Sequence, residues 1–274
     1  MGRSSGRQPA ILFWSSGKDA AFALHEVRRR GELEVVALVT TVNRDEGAAD
    51  TPRRDAPRAG RSAGRGDAAP SAGGDAGGRV AVHGVRRELL DRQAAALGLP
   101  LVAVELPSPC PNEVYEREVA AALAPLRERG VEDAVFGDLF LEDVRAYREE
   151  QMAAVGVTPV FPLWGRDTAE LAREMLAAGV DARLVCVDTE QLDPGFAGRR
   201  FDAALLGDLP AGCDPCGENG EFHTFVTSAP GFQWPIPIER GPMTVDGRFA
   251  HADLLPSAIT RDLRGTARAH PAEP

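Results

Sequence analysis

Cysteine is scarce, at four in 274 residues. That is too few for a disulfide framework in a chain of this length, so a reducing, cytoplasmic setting is expected. Long apolar runs are missing, and none reaches the roughly 20 residues of a membrane span. Met1 to Pro9 is polar and lacks the apolar stretch of a signal peptide. Positive charge is not in excess either: 31 Lys and Arg face 41 Asp and Glu, a net charge of −10. A broad nucleic-acid-binding surface is therefore not expected. The one Gly-Lys pair, Gly17-Lys18, has no glycine five residues before Gly17, so the Walker-type loop is excluded. Nor does a Gly-x-Gly-x-x-Gly fingerprint occur at this turn.

What is present is organised around Ala10 to Leu24. A short apolar run leads into Ser15-Ser16-Gly17-Lys18-Asp19, and Ala20, Ala23, Leu24 and Val27 then recur at helical spacing. Gly31 follows three arginines and reads as the helix stop. A buried strand, a small-residue turn and a helix N-terminus make an anion site, because the first-turn N–H groups and the dipole both favour negative charge. Lys18 adds a full charge, and Ser15 and Ser16 add hydroxyls. The turn resembles the pyrophosphate loop of ATP pyrophosphatases, Ser-Gly-Gly-Lys-Asp-Ser. Ser16 stands where that motif has glycine, and Ala20 removes its last hydroxyl.

Val35 to Val39 is an apolar, largely β-branched run suited to a doubly buried parallel strand. Residues 44–79 hold no hydrophobic residue but alanine, so a disordered insertion is expected there. Order resumes with a strand near Val80 to Val85, then a helix through Leu90, Ala94 and Leu97. Leu101 to Leu106 is the next strand, and Asn112 is expected to cap a helix that Pro125 kinks or restarts. Ala134 to Phe136 forms a short strand ending in Gly137-Asp138. The alternation predicts an α/β fold: a doubly wound, mainly parallel Rossmann-like sheet with a smaller α+β C-terminal domain. Residues 1–155 would form the nucleotide domain, 156–257 a substrate domain and 258–274 a polar tail. Ligands bind outside the carboxyl ends of such strands. The Ser15 turn, the loop after Val42, His83-Gly84 and Gly137-Asp138 should then share one edge.

Two further constellations carry chemistry. Asp138, at a strand end, could hold Mg²⁺ or orient an amine. Gly217-Glu218-Asn219-Gly220-Glu221-Phe222-His223-Thr224 packs carboxylates, an amide, an imidazole and a hydroxyl between and after two glycines. A plain Asn-Gly hairpin is the alternative there. Cys213 and Cys216 have metal-ligand spacing, yet with His223 they lack an evident fourth partner for zinc.

Together the turn, Gly137 to Asp143, Phe161-Pro162-Leu163-Trp164 and Gly217 to Thr224 resemble the diphthine–ammonia ligase family, from about Ile11 to Phe232 outside the insertion. That resemblance implies an adenine nucleotide alpha hydrolase-like fold and the cofactors ATP and Mg²⁺. It implies adenylation of a carboxylate, release of pyrophosphate and transfer of ammonia or another amine. Ser15, Ser16, Gly17, Lys18 and Asp19 would bind phosphates. His83, Gly84 and Gly137 would line the nucleotide pocket, and Asp19 and Asp138 would hold the metal. Lys18, Asp138 and Glu221 would be catalytic. Glu218, Asn219, Glu221, His223 and Thr224 would meet the acceptor, a carboxylate that a protein can carry, or ammonia. Amidation or thiolation of another substrate is an alternative. A nucleotide-binding regulator without turnover is a third.

Overall fold

The computed structural model describes residues 7–44 and 84–258, together with the backbone of two short strands, Thr260–Arg261 and Ala267–Arg268. The expected insertion, apart from Arg44, and the strand start near Val80, with His83, lie outside the described residues.

The first half alternates as the sequence pattern demands. β1 (Gln8–Phe13) leads to α1 (Lys18–Arg30) and β2 (Leu33–Asn43). After them come α2 (Arg87–Leu97), β3 (Leu101–Leu106), α3 (Asn112–Arg127), β4 (Asp133–Val135), α4 (Glu142–Ala154) and β5 (Thr158–Val160). Their five strands form one parallel sheet in the order β3-β2-β1-β4-β5. The order reverses at β1, whose neighbours are β2 and β4, and such a reversal is where an open α/β sheet forms its ligand crevice. Ile11, Leu12, Leu38, Val39, Ala134 and Val135 are fully buried at the centre of this sheet. Two faces covered by helices explain why β2 reads as a continuous apolar run rather than an alternating one.

The second half is smaller. α5 (Thr168–Ala177) is followed by β6 (Asp181–Asp188), a 3₁₀ turn at Pro194–Phe196, α6 (Ala203–Asp208), β7 (Phe222–Ser228), β8 (Ile238–Asp246) and β9 (Phe249–Pro256). The four strands pair antiparallel in the order β7-β6-β9-β8. The doubly wound sheet with a smaller α+β part is therefore what the chain builds. β5 lies past residue 155, yet it extends the first sheet by pairing with β4.

Local signals explain most element ends. Gly31 takes the left-handed angles of a helix stop, with φ 73°. Asp167 caps α5 by accepting from the Glu170 amide at 2.8 Å. Asn112 does not cap α3: Pro111 stands before the helix with φ −64° and ψ 147°, and Asn112 is the first helical residue. The proline ring fixes φ near that value and has no N–H to satisfy, so it marks the boundary without a side-chain cap. The Asn112 amide instead donates to Glu116 at 2.7 Å and accepts from Tyr147 at 2.8 Å. α3 continues past Pro125, which falls in its last turn. No helix among the described residues is long and apolar enough to cross a membrane.

Candidate active site

The carboxyl ends of β1, β2 and β4 open into a cleft of about 320 Å³. One wall is the turn Ser15, Gly17, Lys18 and Asp19. Across it stand Gly137 and Asp138, and the 217–224 loop closes the third side through Gly217, Glu218, His223 and Thr224. Residues some two hundred positions apart in the chain thus face one another.

Gly137 is where the fold needs no side chain at all. A Cβ there would lie 2.9 Å from the Asp19 carbonyl carbon and 2.9 Å from the Ala20 nitrogen. The first turn of α1 can approach the end of β4 only because this position is glycine. Gly217 is a second such point: its φ is 73°, and a Cβ would meet the Phe222 carbonyl oxygen at 2.7 Å.

Lys18 is 1% exposed although it carries a charge. Its Nζ donates to both Asp19 oxygens, at 2.9 and 2.8 Å, and to the Cys216 carbonyl at 2.5 Å. The rings of Phe201 and Phe222 lie 5.5 and 5.6 Å from it. Burial works against the Lys18 charge, but Asp19, Cys216 and Glu218 outweigh it and hold its pKa above the ordinary value. The backbone N–H of Lys18 donates to Thr224 Oγ1 at 3.1 Å, so strand β7 caps the helix that starts at the turn.

The carboxylates divide into two kinds. Glu218 faces the cleft, where its Oε1 accepts from the Leu139 N–H at 2.7 Å. Burial, with Asp19 and Asp138 close by, pushes its pKa up to about 8. Asp138 is likewise raised, first by burial and then by Asp19, while Arg148 works in the other direction. The Arg148 Nε lies 4.0 Å from Asp138 Oδ2, and its guanidinium stacks 5.1 Å from the Phe136 ring centroid. Glu221 is different. It is 1% exposed, does not line the cleft, and uses Oε1 to accept from the Asp214 N–H at 2.8 Å and the Asn219 amide at 3.1 Å. It braces the loop that presents Glu218.

Asn219 and Ser16 are also away from the cleft wall, and so is Gly84. Ser16 is fully buried with φ 68°, and its Oγ has no hydrogen-bond partner. Left-handed angles cost a residue with a Cβ about 1–2 kcal/mol relative to glycine. Ser16→Gly removes both that strain and an unsatisfied hydroxyl. It should raise stability by about 1 kcal/mol, partly offset by the looser unfolded chain, and so lift the melting temperature by about 2–4 °C. A calorimetric scan checks this, and a lower melting temperature would mean that the hydroxyl is satisfied in solution.

Glu218 also makes stability depend on pH. Its folded pKa lies above the unfolded value, so the folded state keeps a proton that the unfolded state releases between about pH 4.5 and 8. Its contribution to stability therefore falls as pH rises through that window. Glu218→Gln abolishes this loss. Thermal melts should show the variant gaining on the wild type from pH 5 to pH 8, and an equal difference at both pH values would contradict the assignment.

Sequence reasoning did not single out Thr40, Thr41 and Tyr115, which also line the cleft, or give Trp14, Arg148 and Cys216 a place in it. The signal for Arg148 was available: Val144 and Arg148 are four apart on one face of α4, and both reach the cleft. Cys213 and Cys216 are free thiols, each pushed by burial to about 12. Among the described residues no group of three or more His, Cys, Asp or Glu side chains is placed to hold a metal ion.

A family model described as the diphthamide synthase C-terminal domain matches residues 167–250. The chain is similar to the diphthine–ammonia ligase of Danio rerio, at 29% identity over 189 residues, covering 62% of this chain and 74% of that protein. Its likeness to the enzyme of Homo sapiens is 25% over 185 residues, and to that of Rattus norvegicus 25% over 189 residues, covering in each case 62% of this chain and 69% of the relative. The resemblance to the diphthine–ammonia ligase family that the motifs carry is thus supported across both halves of the chain.

Proposed function

We propose that the chain is an ATP-dependent, amide-forming ligase of the diphthine–ammonia ligase type. The observation that carries this reading is the single cleft in which a buried lysine at a helix N-terminus faces the 217–224 loop. Residues 1–155 would supply the nucleotide side, with β5 added to the same sheet, and 156–257 the acceptor side.

In this reading a carboxylate oxygen of the acceptor attacks the α-phosphorus of ATP. The bond from that phosphorus to the bridging oxygen breaks, and pyrophosphate leaves. Ser15, the Gly17 N–H and Lys18 meet the charge that builds on the leaving group, in a site where such donors are worth most. Ammonia then attacks the acyl carbon, and the bond to AMP breaks. The nitrogen must lose a proton in this step. Glu218, which lines the cleft and whose pKa of about 8 lies near neutrality, would take it. His223 lines the same wall.

Asp19 and Asp138 are hard oxygen donors that both line the cleft, and burial, with Asp19 close by, holds the Asp138 carboxyl above its ordinary pKa. Mg²⁺ is commonly bound by one or two carboxylates plus substrate phosphates, and these two fit that role. When bound, the ion would neutralise phosphate charge. Both Asp19 oxygens are engaged by Lys18, so Asp138 is the freer ligand.

The test follows one oxygen atom. With an ¹⁸O-labelled acceptor carboxylate, one label should appear in AMP. Label confined to inorganic phosphate would place the attack at the γ-phosphorus and end this reading.

A further inference from the structure

Behind the cleft, α2 contributes a side chain that the chemistry above does not use. Gln93 is fully buried. Its Oε1 accepts from the Trp14 indole N–H at 2.8 Å, and its Nε2 donates to the Ser16 carbonyl at 3.2 Å and the Val226 carbonyl at 2.7 Å. An indole can only donate and a carbonyl can only accept, so all three partners agree on one orientation of the amide. The Ser16 carbonyl also accepts from the Val226 N–H at 2.9 Å.

The clamp closes on the residue whose backbone is strained. Ser16 has φ 68° without being glycine, and such conformations persist only where the surroundings over-determine them. Two donors on one carbonyl do this. The angles at Ser16 set the direction of the next amides, those of Gly17 and Lys18, which start the helix at the cleft. Gly17 itself is wedged against β7, where a Cβ would lie 3.2 Å from the Thr224 carbonyl oxygen. Gln93 therefore ties the end of β1, the turn and β7 into one rigid unit.

We propose that Gln93 is a positioning residue for the phosphate-binding turn, holding Ser16 in its left-handed conformation through the Ser16 carbonyl. The proposal rests on the reading that this turn binds the phosphates of ATP. It predicts a coupling that a merely structural glutamine would not show. Glycine adopts the left-handed angles without help, so Ser16→Gly should relieve the need for the clamp.

Binding of ATP with Mg²⁺ is measured by calorimetry on the wild type, Gln93→Met, Ser16→Gly and the double variant, with melting temperatures alongside. Methionine keeps the volume and removes the amide. Gln93→Met should weaken ATP binding by about tenfold or more, the scale of one or two lost buried hydrogen bonds. The double variant should bind within roughly threefold of Ser16→Gly, which is the non-additivity expected of coupled residues. Wild-type affinity in Gln93→Met overturns the proposal. So does a double variant that is as weak as Gln93→Met. If Gln93→Met does not fold, the double variant against Ser16→Gly decides by the same threefold criterion. A wild type that binds no ATP overturns the parent reading as well, and shows it before any variant is made.

Discussion

Lys18→Ala should cut pyrophosphate release by about 10²–10³-fold, the range for removing one preorganised donor from a developing charge. The side chain is already caged by Asp19, the Cys216 carbonyl and two aromatic rings, so a phosphate entering the cleft meets a charge that needs no ordering. The composition adds weight. Of 31 cationic residues in the chain, 30 are arginine and only position 18 is lysine. Lys18→Arg should therefore fail too, because a planar guanidinium cannot take the place of a compact ammonium in that cage. The fold should persist in Lys18→Ala: Asp19 is partly exposed, its side chain at 26%, and water can take up its freed oxygens. Steady-state pyrophosphate assays with circular dichroism on the same samples check both halves. A folded variant with near-normal turnover removes Lys18 from the chemistry.

The second large effect is expected at Glu218. Glu218→Gln should leave ATP affinity close to normal while slowing ammonia-dependent turnover by roughly 10²–10⁴-fold, the scale of one lost general base. With free ammonia held constant at each pH, the wild-type rate should rise through about pH 8 as Glu218 ionises, and the variant should lack that limb. Glu221→Gln is the contrast. Glu221 is enclosed between Asp214 and Asn219, so its loss should act on stability and leave the pH profile unchanged. If instead Glu221→Gln flattens the profile, the two glutamates have exchanged roles.

How much of this was legible in the sequence depends on the range of the interaction. The turn at Ser15–Asp19, the helix after it and the Gly31 stop are local, and each is written in neighbouring residues. The alternation of strand and helix is equally local, and it carries the parallel sheet. Of two glutamates three residues apart, the resemblance gave the catalytic role to Glu221, yet Glu218 is the one that faces the cleft, because that depends on the Gly217 turn and on contacts with Leu139 and Asp214. Thr224 read as an acceptor contact, and that its hydroxyl also caps the Lys18 amide across 206 positions was not legible. Gln93 carried no motif at all. Its partners at positions 14, 16 and 226 meet only when the two halves pack together.

The nucleotide products test the central claim most directly. The protein is incubated with ATP, Mg²⁺, ammonium and a diphthine-bearing protein, and phosphorus NMR follows every species. The account predicts AMP and pyrophosphate in equal amounts, with ammonium required for sustained turnover. ADP and inorganic phosphate, or unconsumed ATP, would contradict it.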